Sequence, residues 1–211
     1  IFNSYINHSR DDLFTYAGLQ QMIDKYLAKN RSTGQIYETP QFAYLAIAMC
    51  LFDTVSEVKE AYDTYSTFKI NLPTPIMAGV RTNIKQFASC VLVDIEDDLD
   101  GIFSSLHAVG KYTARRAGIG LNIGRMRPIN SPIRGGEVIH TGLIPYLKNF
   151  ESAVKSTSQN GLRGGSATVH IPFWHYEIED IMVLKNNAGT DDNRVRKLDY
   201  SVQFCKSVSY T

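Results

Sequence analysis

Two stretches read Arg-Gly-Gly, Arg134 to Gly136 within SPIRGGE and Arg163 to Gly165 within SQNGLRGGSA, and each is expected between a helix and a strand. Each sets a fork-shaped anion donor beside backbone that a ligand can approach closely. Either stretch alone is accounted for by a flexible turn with a solvated arginine. Taken together, and with the acidic run Asp94 to Asp100 able to hold a sugar hydroxyl, they favour a nucleoside phosphate as ligand. A different chemistry is offered by Ser89-Cys90, a hydroxyl and a thiol side by side just ahead of the apolar run Val91-Leu92-Val93. A thiol at a strand end can do redox work, yet by type and position alone the plainer account of Cys90 is a buried cysteine packed like a small hydrophobe.

Other chemistry-bearing residues point to less. Gly118, Gly120 and Gly124 miss the dinucleotide-binding spacing by one residue and lie across a strand, which rejects a Rossmann site. His8, His107, His140, His170 and His175 show no metal-ligand spacing and no nearby cysteine, so no metal site is expected. Phe173, Trp174 and Tyr176 read as core or interface aromatics, and Asp191-Asp192 with Arg194 and Arg196 as an exposed charged turn.

The balance of charge narrows the ligand. With 22 Lys and Arg against 21 Asp and Glu in 211 residues, no global field exists to hold a nucleic-acid backbone, so a phosphate must be met by a local arginine cluster. No nucleic-acid partner is expected. Cys50, Cys90 and Cys205 are an odd count without framework spacing, which points to a reducing cytoplasm. No apolar run reaches membrane-spanning length, so no membrane association is expected; Ile1 opens no signal peptide and is not the initiator, so residues upstream have been removed or left out.

The elements that must position these residues fall into two textures. Arg10 to Asn30 carries a helical apolar stripe, Thr39-Pro40 caps and opens a helix through FAYLAIAMCLF that is apolar almost all round and so buries Cys50, and Glu57 to Phe68 is a third helix. Residues 1–70 therefore form a helical layer. From residue 71 to 211 apolar runs alternate with helices, the pattern of an α/β unit with a parallel sheet: strands at Val91 to Ile95, Gly120 to Ile123, Ala167 to Ile171 and Tyr200 to Phe204, helices at Leu99 to Arg115, Leu143 to Ser156 and Ile178 to Lys185. The second of these helices carries Ile144, Leu147, Phe150 and Val154, a stripe that suits internal packing better than a dimer surface. Ligands of such sheets gather beyond the carboxyl ends of the strands.

A longer set of motifs is more specific than any of these. KYLAKNRSTGQIYE (Lys25 to Glu38), STFKINLPTPIMAGVRT (Ser66 to Thr82), FASCVL (Phe87 to Leu92), RAGIGLNIGRMRPINSPIRGGE (Arg116 to Glu137), AVKSTSQNGLRGGSATV (Ala153 to Val169) and VLKNNAGTDDNRVRKLDYSVQ (Val183 to Gln203) run in order along the chain. With them the sequence resembles the large, catalytic subunit of class I ribonucleotide reductases, from the first helix to Val208. The resemblance implies a short N-terminal helical layer followed by the first half of a ten-stranded α/β barrel. It implies that Cys90 is one of two active-site cysteines that reduce the substrate and become a disulfide. Thr74, Ser89, Ala117 and Gly118 match positions that hold the substrate diphosphate and ribose through hydroxyls and backbone amides. Asp97, Arg127 and Arg134 match a first specificity loop that binds a deoxynucleotide or ATP effector, with Asp98 competing with Asp97 for the effector ribose. Gln159 and Arg163 match a second loop, Ser156 to Ala167, that relays effector identity to the active site. Thr157 stands where some relatives carry cysteine, with little consequence expected.

The implied reaction is reduction of a ribonucleoside diphosphate at its 2′ carbon, with no covalently bound cofactor and an effector nucleotide bound with Mg. The implied partners are a metal-containing small subunit that supplies the radical, thioredoxin or glutaredoxin, a second large subunit in a homodimer, and the remainder of the large subunit. Neither Cys50 nor Cys205 matches the second redox cysteine, and the radical cysteine, the radical-transfer tyrosines, the C-terminal cysteine pair and the ATP-cone region are not found between Ile1 and Thr211. A half barrel is expected to show an open sheet edge and to work only beside its complement. The alternatives are a noncatalytic nucleotide-binding regulatory module and a purely structural barrel fragment.

Overall fold

A computed structural model describes residues 2–30, 32–83, 85–157 and 164–205, which divide into two compact units, Ile1–Ser89 and Cys90–Thr211. The first unit is helical. Two 3₁₀ turns, Asn3–Tyr5 and His8–Leu13, precede α1 (Tyr16–Gln21), which runs on through a π-helical turn at Met22–Tyr26. The single helix expected from Arg10 to Asn30 is thus broken, because Phe14 is extended and the Thr15 hydroxyl caps a new start by accepting from the Gly18 N–H. Helix α2 (Pro40–Leu51) opens as expected, with Thr39 as its cap and Pro40 in its first turn, and α3 (Val55–Ser66) starts on a capping box between Thr54 and Glu57.

Along α2, Ala43, Leu45, Ile47 and Ala48 are fully enclosed, whereas Phe42, Met49 and Cys50 are exposed, so Cys50 is not core. Its apolar surface simply extends further round the helix than the space available to bury it. Between α2 and α3 lies a buried polar network. The Tyr62 hydroxyl donates to Gln41, Gln41 donates to Asp11, and Arg10 donates to both Asp63 and Ser66. Each buried member has a partner, as the cost of stranding it demands. Helix α4 (Thr74–Gly79), not foreseen as a helix, packs Met77 and, just past its end, Val80 into this same core.

The second unit is α/β, as the family resemblance implies. Strands β1 (Cys90–Asp94), β2 (Gly118–Asn122), β5 (Ala167–Pro172) and β6 (Asp199–Gln203) form one parallel sheet in the order β1-β2-β5-β6. Between them lie α5 (Leu99–Ala114), a two-stranded hairpin β3 (Pro132–Ile133) and β4 (Val138–Ile139), α6 (Ile144–Thr157) and α7 (Ile178–Met182). Ile119, Leu121, Ala167, Val169 and Ile171 point to one face and are buried under α5 and α6 with Ile102, Val109, Leu147, Phe150 and Val154. The stripe on α6 is internal packing. The opposite face carries Cys90, Leu92 and Asp94 of β1 in register with Gly118, Gly120 and Asn122 of β2, and Leu92 there is 82% exposed. Among the described residues β1 and β6 are the two open edges of the sheet. Phe173, Trp174 and Tyr176 are exposed, not core, and the Phe173 ring lies tilted against that of Phe204, with centroids 5.2 Å apart.

Candidate functional site

Within the α/β unit the sheet sorts the candidate residues to its two ends. Cys90 and Gly118 are the first residues of adjacent strands and lie opposite each other, with Ala117 just before. Cys90 is exposed, which overturns the reading of it as a core residue. Ala117 is buried, and its N–H already donates to Tyr112 O at 3.1 Å. That bond and Arg116 N–H to Thr113 O close α5 in a Schellman turn, with Arg116 at φ 70 where glycine is usual. The amide donor of Ala117 is therefore committed to the helix end. In the helical unit Thr74 opens α4, and its hydroxyl lies 2.9 Å from that of Tyr26. Ser89 is the last residue of that unit. The Tyr26 carbonyl accepts from Arg81, whose guanidinium grips Glu38 at 2.7 and 2.8 Å.

At the carboxyl ends of β1 and β2, where the sheet rule places ligands, acids and arginines interlock. Asp97 accepts from Arg127 twice, from the main-chain N–H at 2.8 Å and from Nε at 2.7 Å, while the same guanidinium reaches Pro132 O at the base of the hairpin. Arg125 bridges Asp94 at 2.9 Å and Glu96 at 3.0 Å. Asp98 is the N-cap of α5 and accepts from Gly101 N–H at 2.8 Å. The acidic run is not the set of idle carboxylates the sequence suggests. Each of these four acids already holds an arginine or a helix end, and a sugar hydroxyl would have to share an oxygen, for which a carboxylate retains lone pairs.

The two Arg-Gly-Gly stretches differ. The first is not a simple helix-to-strand turn: Arg134, Gly135 and Gly136 form the tip of the β3–β4 hairpin, all with positive φ (51, 68 and 95). Arg134 is thus carried outward by a hairpin whose base Arg127 touches. The second begins at Arg163, which with Gln159 lies outside the described residues; the next strand is joined to β2 by a bond from Ile119 N–H to Ser166 O. No group of three or more His, Cys, Asp or Glu suited to a metal occurs among the described residues, and none of their helices is long and apolar enough to cross a membrane.

The sequence missed a buried corner behind the Arg127 loop. Glu177 is 3% exposed, and its carboxylate accepts from Ile129 N–H at 2.9 Å and Leu143 N–H at 3.0 Å. His175 accepts the Glu177 N–H at Nδ1, so its proton sits on Nε2, 2.9 Å from Met126 O. Gly142, at φ 91, lies against this carboxylate: a Cβ there would stand 2.8 Å from Oε1.

Comparison with known proteins places the chain in a family. Residues 12–85 match the family model for the ribonucleotide reductase all-alpha domain, and residues 88–208 the model for the ribonucleotide reductase barrel domain. The chain is 54% identical to the ribonucleoside-diphosphate reductase subunit alpha of Buchnera aphidicola subsp. Baizongia pistaciae, over 98% of this chain and 28% of that protein. It is 53% identical to ribonucleoside-diphosphate reductase 1 subunit alpha of Escherichia coli K12, over 97% of this chain and 28% of the relative. It is 50% identical to the subunit alpha of enterobacteria phage T4, over 95% and 27% respectively. The chain thus spans little more than a quarter of the length of these relatives.

Proposed function

Since the chain belongs to the ribonucleotide reductase large-subunit family, we propose that it is a working part of the catalytic subunit of a class I ribonucleoside-diphosphate reductase, an enzyme that makes deoxyribonucleotides from ribonucleotides. The observation that carries this reading is the match of both family models in order, with Cys90 exposed at the first position of a strand where a packing cysteine would be enclosed.

A thiyl radical elsewhere in the subunit takes the 3′ hydrogen of the bound ribonucleoside diphosphate and later returns it. Between those events two thiols give two electrons and two protons to the sugar: the C2′–O bond breaks, the hydroxyl departs as water, a C2′–H bond forms and the sulfurs join. Cys90 is one of these thiols. Its partner must come from a residue whose α-carbon can approach to about 4.4–6.8 Å. The hydroxyls of Thr74 and Ser89 and the backbone at Ala117 and Gly118 hold the diphosphate and ribose. Because the Ala117 N–H is spent on the end of α5 and Gly118 is paired with Cys90 in the sheet, amide donation there would have to share donors that the fold already uses.

At the other end of the sheet Asp97, Arg127 and Arg134, with Gln159 and Arg163 of the second loop, take a deoxynucleoside triphosphate or ATP as effector, with Mg on its phosphates. The partners are the remainder of the large subunit, a second large subunit, a metal-containing small subunit that supplies the radical, and thioredoxin or glutaredoxin to reduce the disulfide, all in the cytoplasm. The test is multiple-turnover CDP reduction by the assembled enzyme carrying Cys90→Ser. Loss of turnover with effector binding retained supports the reading; an unchanged rate removes Cys90 from the chemistry and leaves a noncatalytic nucleotide-binding module as the role of this chain.

A further inference from the structure

The loop from Ile123 to Leu143 joins β2 to α6 and carries Arg125, Arg127 and Arg134. Three of its main-chain polar groups are held by one short segment of chain far away in sequence. Met126 O meets His175 Nε2, and Ile129 N–H and Leu143 N–H meet the two carboxylate oxygens of Glu177. His175 and Glu177 are themselves tied, Nδ1 accepting the Glu177 N–H at 3.2 Å. Met126 and Ile129 bracket Arg127, whose main-chain N–H is fixed on Asp97. Leu143 is the residue just before α6, and that helix ends at Thr157, next to the second loop.

A carboxylate is seldom enclosed, and among the described residues this one has no ion-pair partner; it is held by those two amides. Two N–H donors on one ionised group make strong, directional bonds, so the spacing between Ile129 and Leu143 is set by the width of the carboxylate itself. Any alternative path of the loop would strand either an amide or the charge. Gly142 with φ 91 completes the fit, since a side chain there would push the carboxylate off both donors.

We propose that Glu177, supported by His175, is a positioning residue for nucleotide binding. It fixes the backbone on both sides of Arg127 so that the guanidinium stands where a triphosphate can share it with Asp97, and it ties that loop to the start of α6. The inference rests on the effector reading of Asp97 and Arg127.

Binding of dTTP to the assembled enzyme, measured by calorimetry, tests it against the unfolding midpoint of the same samples. Wild type, Arg127→Ala, Glu177→Gln and Leu198→Ala are compared; Leu198 is fully buried in the same core and serves to report general loss of stability. Glutamine keeps the size of the side chain but can accept from only one of the two amides. The expected result is that Glu177→Gln weakens dTTP binding at least tenfold while Leu198→Ala, lowering the midpoint as much or more, changes it less than twofold. Should Glu177→Gln not fold, Glu177→Asp, which keeps the charge but is too short to serve both amides, is expected to show the same loss. If wild type binds and Arg127→Ala does not, yet the folded Glu177 variant binds as wild type, or Leu198→Ala weakens binding equally, the positioning role is overturned and the effector site stands. If wild type binds no dTTP, the effector reading fails and takes this role with it.

Discussion

Cys90 stands directly across from Gly118 in the β1–β2 pair, so the thiol shares the exposed face of the sheet with a residue that has no side chain. Cys90 itself is exposed, so the sulfur fills no cavity and replacing it should cost little stability. Cys90→Ser is expected to change the unfolding free energy by less than about 0.5 kcal/mol. In the native chain Cys90 and Cys50, both exposed, should be alkylated by iodoacetamide under conditions that leave the fold intact, as read by mass spectrometry of the peptides. Protection of Cys90 until denaturant is added would return it to the core.

Two adjacent carboxylates have separate tasks. Asp97 holds Arg127, and Asp98 caps α5. Asp98→Ala should therefore lower stability by about 1 kcal/mol, the usual value of such a cap, and leave nucleotide binding close to wild type. Asp97→Ala should do the reverse, abolishing measurable dTTP binding because the guanidinium loses its anchor and the ribose its acceptor. Calorimetry and thermal unfolding on the two variants decide the matter, and a swap of the two phenotypes would reassign the ribose contact to Asp98.

Glycines of the α/β unit offer a graded test of packing. A Cβ at Gly120 would meet Leu92 Cδ2 at 2.5 Å, but Leu92 is an exposed side chain that can swing away. At Gly124 it would meet the Pro172 ring at 2.8 Å, and a proline ring cannot rotate clear. At Gly142 it would strike the buried Glu177 carboxylate from a backbone with φ 91. Alanine substitutions should lower the unfolding midpoint in the order Gly142, Gly124, Gly120, with costs of about 2–4, about 1–3 and under about 1 kcal/mol. A Gly120→Ala variant as unstable as Gly142→Ala would mean that the exposed face is packed more tightly than Leu92 suggests.

The α/β unit was readable along the chain because strands enclosed on one face or both are short apolar runs. The strands expected at Val91 to Ile95, Gly120 to Ile123, Ala167 to Ile171 and Tyr200 to Phe204 each begin and end within two residues of the observed strand. The first helix was misjudged because a stripe from Leu13 to Leu27 outvoted one capping threonine, although Thr15 was the visible signal of a break. Cys50 was misplaced because hydrophobicity all round a helix shows what it could bury and not how much neighbouring surface exists to bury it. At the candidate sites, motif matching chose positions, but pairing chose roles. The acids after β1 are engaged by Arg125, Arg127 and the α5 terminus, which no local pattern shows. Glu177 was invisible for the same reason: in YEIEDI it reads as a solvated helix start, while its donors Ile129 and Leu143 lie 48 and 34 residues away.

Stability of the helical unit should depend on pH at both extremes, through different groups. Burial raises the Asp63 carboxyl, but the Tyr5 hydroxyl at 2.6 Å and the Arg10 guanidinium outweigh it and hold the group below its ordinary value. A carboxyl whose pKa falls on folding contributes stability above its unfolded value near 4, and that contribution is lost as pH drops through the folded value. Tyr5→Phe removes one of the two supports, so the variant should be less stable at neutrality by about 1 kcal/mol and its acid loss should be smaller and complete at a higher pH. Tyr44 behaves in the opposite sense. Burial, aided by the negative charge of Asp11, pushes its phenol up to about 12. A phenol whose pKa rises on folding contributes stability below its unfolded value near 10, lost as pH climbs from there to the folded value, a span equivalent to about 3 kcal/mol. Phenylalanine at position 44 cannot ionise, so Tyr44→Phe should match wild type at pH 8 and exceed it at pH 11.5. Unfolding midpoints followed by circular dichroism from pH 3 to 11.5 measure both limbs. Parallel alkaline curves for Tyr44→Phe and wild type would show that the Tyr44 phenol is solvated when it ionises.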